Sequence, residues 1–377
     1  MKAQDERLAR AALSRLTEPG EPRLATHVAE LGAVVVRDHL FADRDVNGVL
    51  SDVAARLSEI DPVRDLENAD RLGIRFVIPG DDEWPTQVND LDSAEPLHRR
   101  GGVPMGLWVK GPIRLDELAE SIAVVGSRSA TSYGAGVAGE IAATSASAGW
   151  CVVSGAAFGI DQAAHRGAAA VGGPTVAVLA CGVDRAYPAA HKSMLDHLAV
   201  AGAVISEAPP GCSPSRLRFL ARNRLIAALT RGTVIVEAAV RSGALNTANW
   251  ADRLSRSLMG VPGPVTSASS QGVHQLLRSG TATLVTSGAD VLELVGAAGD
   301  HLSEDPRGET RVRDALTLRE QQVLDAVPVA SGVSAGSLAR TAGIGIAEVR
   351  VALSRLHRMG LVEDLSDRWR LAAAALA

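Results

Sequence analysis

The sequence predicts an α/β protein. Its centre is a Rossmann-like, doubly wound, mostly parallel sheet, with a small all-α module before it and a winged-helix domain after it. Three observations carry this. Between residues 121 and 296, short apolar runs alternate with helical stretches. Ahead of them, residues 1–65 hold apolar side chains at three- and four-residue spacing, the helical period. Behind them, residues 315–377 read as three helices and a hairpin. A chain of 377 residues has room for two or three such domains.

The N-terminal module rests on RLARAALSRL and VNGVLSDVAARLSEI, with a break at EPGEP (18–22) between them. We bound it at residues 1–70 and expect a SAM-like helical unit. Residues 72–113 contain Pro79, Pro85, Pro96 and Pro104 and read as an irregular segment with two short strands, IRFVI and GLWVKG. The core then follows, with strands at IAVVG (122–126), WCVVSG (150–155), TVAVLACG (175–182), AVISE (203–207), TVIVEA (233–238) and SLMGVPG (257–263). Strands that are apolar on every residue belong to a parallel sheet covered on both faces. The Rossmann-like domain is thus bounded at 71–296, and the polar stretch 297–314 reads as a linker. In the last unit, 315–377, TLRE (317–320) is a capping-box pattern. Ser334 is placed to cap a second helix, IAEVRVALSRLHRMG (346–360) is the third, and LVEDLSDRWRLA forms the hairpin.

Composition narrows the function. No run is long and apolar enough to span a bilayer, and the N-terminus MKAQDERLARAALSRL is charged and helical rather than secretory. The protein is expected to be cytoplasmic, with no membrane anchor. Cys151, Cys181 and Cys212 are the only cysteines and form no CxxC, which argues against structural zinc and against a disulfide framework. The net charge of −5 alone argues mildly against a nucleic-acid partner. Its distribution changes that. Residues 1–100 hold 13 basic against 20 acidic residues, a net of −7, and the remainder holds 25 against 23.

Ligands of an open α/β sheet bind beyond the carboxyl ends of its strands. Here those ends are small and polar: Gly126-Ser127, Ser154-Gly155, Gly182, Ser206-Glu207 and Glu237. IAVVGSRSATSYG (122–134) has the strand–glycine–helix layout of a phosphate-binding turn. It is not GxGxxG, and no acidic residue follows the second strand at a ribose-binding position, so a dinucleotide is disfavoured. A Walker lysine motif is also missing, and no cofactor is expected.

The segment SRLRFLARNRLIAAL (215–229), extended to Arg231, carries Arg216, Arg218, Arg222, Arg224 and Arg231 with no acid and with Phe219 inside it. Arginine forks bind phosphates in a bidentate way, and an aromatic beside them can stack a base. The alternative is a solvated face in an arginine-rich protein. In VEAAVRSGALNTANWA (236–251), Ser242 and Gly243 could present N–H groups to a phosphate or simply cap a helix. In SGAAFGIDQAAHRGA (154–168), Asp161 and His165 lie one helical turn apart. Asp161 is read as the helix cap and His165 as a packing partner. No nucleophile with a matched base is evident elsewhere.

The motifs VGSRSATSYG, VVSGAAFGIDQAAH, VAVLACGVDRAYPAAH, ISEAPPG, FLARNRLIAAL, VEAAVRSGALNTA and GVPGPV, in this order and spacing, resemble the DprA (DNA-processing protein A, Smf) family over at least residues 72–285. The resemblance implies a protein that binds single-stranded DNA and forms a homodimer. It also implies help in loading the RecA recombinase onto the strand, for homologous recombination and for natural transformation where the host takes up DNA. The family is not known for an enzymatic activity.

The resemblance further implies that Gly126, Ser127 and Arg128 hold a DNA phosphate. Arg216 and Phe219 match the contacting basic and aromatic positions, and Arg222, Asn223 and Arg224 match an arginine-asparagine-arginine motif. With the strand-end residues Ser154 and Gly155 and the turn residues Ser242 and Gly243, these make up the expected nucleic-acid site.

There are departures from the family pattern. Phe219-Leu220 replaces a usual phenylalanine-proline, so that a less rigid loop is expected there. Gly272-Val273-His274 replaces a frequent glycine-cysteine-asparagine, and Ala156 a common leucine. The alternative reading is a nucleotide-binding or phosphoribohydrolase-like Rossmann protein. The latter needs a PGGxGTxxE-type loop, and here Glu237 stands before the corresponding segment. In the winged helix, seven Arg stand against six Asp and Glu, with Arg350, Arg355 and Arg358 facing outward and Val349, Leu353 and Leu356 inward. Duplex DNA and protein remain equal candidates for its partner.

Overall fold

The computed structural model describes residues 2–41, 60–302 and 312–375. The expected helix at 46–60 lies outside the described residues except for its last position, as do residues 303–311 of the expected linker. The chain divides into two compact units, Met1–Ser303 and Glu304–Ala377.

In the first unit nine strands form one sheet. They are β1 (Ile74–Val77), β2 (Leu107–Lys110), β3 (Ser121–Val125), β4 (Cys151–Ser154), β5 (Thr175–Val178), β6 (Ala203–Ser206), β7 (Gly232–Ile235), β8 (Ser257–Gly260) and β9 (Thr283–Leu284). Their order is β1-β2-β6-β5-β4-β3-β7-β8-β9. From β6 to β9 all neighbours are parallel. β1 and β2 form an antiparallel pair added to the β6 edge, built from the proline-interrupted segment.

Alternate residues of each central strand face opposite layers. Ala123, Val125, Val153 and Ile235 enter one core with the helices Arg216–Leu229 and Ala244–Arg253. Ile122, Val124, Val152 and Val234 enter the other, with the helices Ser132–Ser147, Ile160–Ala170 and Gly288–Val295. Both faces are covered, which is why the strands lack polar alternation.

The N-terminal helices Lys2–Leu16, Pro22–Leu31 and Ala33–Phe41 share a small core of Leu13, Leu16, Leu24 and Val36. They belong to the same compact unit as the sheet. Arg7 pairs with Asp81 at 2.7 Å, and Glu18 pairs with Arg218 at 2.8 Å.

The second unit has the element order of a winged helix. Its helices are Leu318–Ala326, Ala335–Ala342 and Ile346–Arg358, with a sheet of β10 (Val333–Ser334), β11 (Val362–Asp364) and β12 (Arg368–Leu371) in the order β10-β12-β11. Thr317 and Glu320 form the capping box, and the Ser334 side chain accepts the Ser337 N–H. Val349, Leu353 and Leu356 are buried, while Arg350, Arg355 and Arg358 are exposed.

Candidate nucleic-acid interface

β3 has β4 on one side and β7 on the other. The chain winds outward from β3 through β4, β5 and β6, then returns to β7 beside β3. That reversal is the switch point at which open α/β sheets bind ligands. A cleft of about 550 Å³ opens there, lined by Gly126 and Arg128 after β3, Ala157 after β4, Ser242 and Gly243 after β7, and Arg216 and Phe219 at the start of the helix Arg216–Leu229.

That helix begins where Ser215 accepts the Arg218 N–H at 3.2 Å, a serine N-cap. From Ala221 to Leu229 every residue is buried. The helix is therefore neither a solvated basic face nor a continuous DNA track. Only its first turn meets solvent, at Arg216 and Leu217, with Arg218 and Phe219 half-buried. Phe219-Leu220 lies inside the helix rather than in a loop. Arg218 is neutralised by Glu18, with two hydrogen bonds of 2.8 and 2.9 Å.

The buried arginines serve the fold. Arg224 is fully buried and donates to both Glu207 oxygens at 2.8 Å. The expectation that it clamps phosphate is corrected on this ground. Arg222 donates to the carbonyls of Gly155 and Val178, each at 2.6 Å. Burial pushes its pKa down and the Asp161 carboxylate opposes that shift. A Cβ at Gly155 would lie 2.1 Å from the Arg222 Nη1, so this position must be glycine for the guanidinium to pass. Asn223 donates to Gly243 O at 3.3 Å and to Asn246 Oδ1 at 3.2 Å, tying the helix to the loop after β7. Ser154 also fails to reach the cleft: it is fully buried and its hydroxyl donates to Val124 O at 2.7 Å.

The turn after β3 requires a second correction. Its amides were expected to hold a phosphate. Instead the Ser127 N–H donates to the Glu237 carbonyl at 2.7 Å, and the Gly126 N–H lies close enough to the Asp161 carboxyl to pull its pKa down against burial. Gly126 has no room for a side chain, because a Cβ would sit 2.6 Å from Ile160 Cγ1 and 2.8 Å from Glu237 O. Asp161 does not cap its helix either. The N-cap is Gly159, and Asp161 Oδ2 accepts the loop amides of Gly155 and Ala157 at 3.2 and 3.4 Å. Burial raises its pKa, against the opposing charge of Arg222 and these amides.

His165 is fully buried with Nδ1 2.8 Å from Thr175 Oγ1. Burial and the Arg222 charge lower its pKa to about 3. It is a packed neutral ring. In the loop after β7, Ser242 Oγ accepts the Ala244 N–H at 3.3 Å from the position before the N-cap, which is Gly243 and has no side-chain cap; Gly243 is exposed at the cleft. Glu237 is buried and accepts from the Thr131 N–H and hydroxyl at 2.9 and 2.6 Å, so it fixes the start of the helix Ser132–Ser147. Among the described residues no group of three or more His, Cys, Asp or Glu could hold a metal ion.

The cleft thus offers exposed Arg128 and Arg216 together with an aromatic wall. The Arg128 guanidinium lies 4.8 Å from the Phe219 ring centre, and Tyr187 lies 5.7 Å from the same ring. Beside it a slot of about 150 Å³ is lined by Arg128, Phe158, Tyr187, Pro188 and Phe219. Phe158 and Tyr187 are exposed by 45% and 42%. Sequence reasoning missed both. A signal was present: the chain has only four Phe and two Tyr, and these two follow strand ends on the ligand side of the sheet.

Fold and cleft together define a Rossmann-like protein whose switch-point cleft presents exposed arginine side chains beside an aromatic wall. Residues 75–296 match the model of the family described as DNA recombination-mediator protein A, and the chain belongs to that family. A Mycobacterium tuberculosis (H37Rv) chain carrying the DNA processing protein DprA name is 44% identical over 368 residues, covering 97% of this chain and 94% of that one. The DNA processing protein DprA of Streptococcus pneumoniae R6 is 38% identical over 220 residues, covering 56% and 71%.

Two solved structures are similar. The X-ray structure of DNA processing protein A from Streptococcus pneumoniae has a TM-score of 0.64 at 32% identity, covering 78% of this chain and 98% of that one. The Helicobacter pylori protein, described for its single-stranded DNA binding mode, has a TM-score of 0.51 at 25% identity, covering 58% and 94%.

Proposed function

We propose that this chain binds single-stranded DNA without sequence preference at the switch-point cleft. One observation carries the reading: an exposed guanidinium, Arg128, stacked on a half-buried ring, Phe219, in the crevice beyond β3. Arg128 and Arg216 take backbone phosphates in a bidentate way. Phe219, Tyr187 and Phe158 present ring faces to unstacked bases, which is sequence-tolerant because every base has a π-face. Gly126, Ser127, Gly155, Ser242 and Gly243 shape the walls, and Arg222 and Asn223 hold them in place. Family membership and the likeness to a structure described for single-stranded DNA binding support the same conclusion.

The chain acts as a binding protein; its membership of the family described as DNA recombination-mediator protein A supports this reading. A homodimer would lengthen the track and add avidity. Bound strand would then be handed to RecA in homologous recombination in the cytoplasm, and in natural transformation where the host takes up DNA.

The test is fluorescence anisotropy of labelled oligo-dT against matched duplex over a salt series. Steeply salt-dependent binding of the single strand that spares duplex is expected. No binding of either DNA at low salt would overturn the proposal.

A further inference from the structure

We propose that Asp161 is the specificity-determining residue of this cleft: its carboxylate fills the amide nest that a phosphomonoester would otherwise occupy, so that free nucleotides are refused. The diester half of this assignment rests on the single-stranded DNA reading. The exclusion of monoesters does not.

Clusters of backbone N–H groups at strand ends and helix starts are the usual anion sites of Rossmann-like sheets. This chain builds such a cluster and closes it with its own side chain. The amides come from two separate loops. Gly155 and Ala157, in the loop after β4, donate to Asp161 Oδ2 at 3.2 and 3.4 Å, and the Gly126 N–H of the turn after β3 lies close enough to lower the pKa of the same carboxyl. Asp161 lies in the cleft wall and is only 5% exposed.

The backbone is held in an unusual conformation to achieve this. Ala156, between the two donating amides of its loop, is fully buried at φ +53°, the left-handed region that non-glycine residues rarely enter. Strain of that kind persists only where surrounding contacts impose it. Here His191 Nδ1 lies 2.9 Å from Ala156 O, and Arg222 binds the Gly155 carbonyl on the other side. Arg222 also supplies the opposite charge that partly offsets the upward push of burial on the Asp161 carboxyl.

A monoester phosphate is a dianion that needs several short N–H contacts. It would have to displace Asp161 from the Gly155 and Ala157 amides, and the Ser127 N–H is already held by Glu237 O. A DNA phosphodiester carries a single charge and can be met further out by the flexible guanidinium forks of Arg128 and Arg216. The cleft therefore distinguishes its ligands by the charge and depth of the phosphate.

The experiment is titration calorimetry of the full chain with dTMP and with inorganic phosphate, alongside oligo-dT anisotropy, for wild type, Asp161→Ala and Asp161→Asn. Wild type is expected to take up neither small anion saturably. Asp161→Ala, with the nest emptied, should gain dTMP affinity by at least about tenfold. Should Asp161→Ala not fold, Asp161→Asn serves through competition: dTMP should displace oligo-dT from it at roughly threefold or lower concentration than from wild type. A folded Asp161→Ala that takes no dTMP, an Asp161→Asn competed no more easily than wild type, or a wild type that already binds dTMP as tightly as the variants would each overturn the assignment. Failure of wild type to bind oligo-dT, with dTMP gained by Asp161→Ala, would sink the DNA reading and leave this one standing.

Discussion

The guanidinium carbon of Arg128 sits 4.8 Å from the centre of the Phe219 ring. The two residues are far apart in the chain and belong to different elements, the turn after β3 and the first turn of the helix Arg216–Leu229. Such a cation–π contact contributes about 0.5–1 kcal/mol at an exposed site. More important here, it holds the arginine fork against an aromatic surface, so that one place can meet both a phosphate and a base.

Replacing Arg128 by alanine should weaken oligo-dT binding to a similar degree for every sequence. The slope of log K against log salt should fall by about 0.7, the contribution of one phosphate contact on a single strand. Arg128→Lys keeps the charge but loses the fork and the stack, so it should restore part of the slope and less of the affinity. An unchanged slope in Arg128→Ala would make the turn structural only.

Phe219→Ala should weaken single-strand binding by about 1–3 kcal/mol, the range for one base–aromatic stack. Tyr187→Ala should act in the same direction, and because the rings are 5.7 Å apart the two effects should not be additive. A double-mutant cycle read by anisotropy checks this. Strict additivity would mean that the rings act at separate nucleotides.

Arg224→Ala should act on stability instead. It leaves Glu207 as an unpaired buried carboxylate, which costs about 3–5 kcal/mol. The drop should appear in urea unfolding, while the protein that remains folded binds oligo-dT as wild type does. Exchanging the pair together, Arg224→Met with Glu207→Leu, should be milder than Arg224→Ala. A stable Arg224→Ala that binds DNA weakly would contradict the buried structural role.

His165 gives the fold an acid dependence. Its folded pKa is lowered to about 3, against about 6.5 for a free imidazole. Between those values the unfolded chain binds a proton that the native ring does not, so stability rises with pH through this window. The stability is fully present above about pH 6.5 and is lost as pH falls, by up to about 1.4 kcal/mol per pH unit. His165→Asn should flatten that slope in urea titrations between about pH 7 and pH 4.5. Equal slopes in wild type and variant would mean that the ring does not titrate differently on unfolding.

Much of this architecture is written in local sequence. Apolar runs broken by glycine mark β3 to β8 because a strand buried on both faces is apolar at most of its positions rather than at alternate ones. Thr317 with Glu320, and Ser334, mark helix starts because a cap is a contact over three residues. The position of the cleft follows from the same local signals, since strand ends in a parallel sheet must emerge on one edge.

The tertiary structure decided which of the candidate groups are free to act. Arg216, Arg222 and Arg224 look alike in a one-dimensional count of charge. Only packing directs the first to solvent, the second to Gly155 and Val178 and the third to Glu207. The amides of the Gly126 turn read as open from their glycine, yet the Glu237 carbonyl takes the Ser127 N–H from another element. Phe158 and Tyr187 stand near Phe219 because β3, β4 and β5 are adjacent and parallel. The sequence by itself determined the elements and the edge at which the cleft opens, since period, caps and breakers act over a few residues. Long-range packing alone determined which polar groups are already satisfied, because each buried donor must find its acceptor wherever the fold brings one within reach.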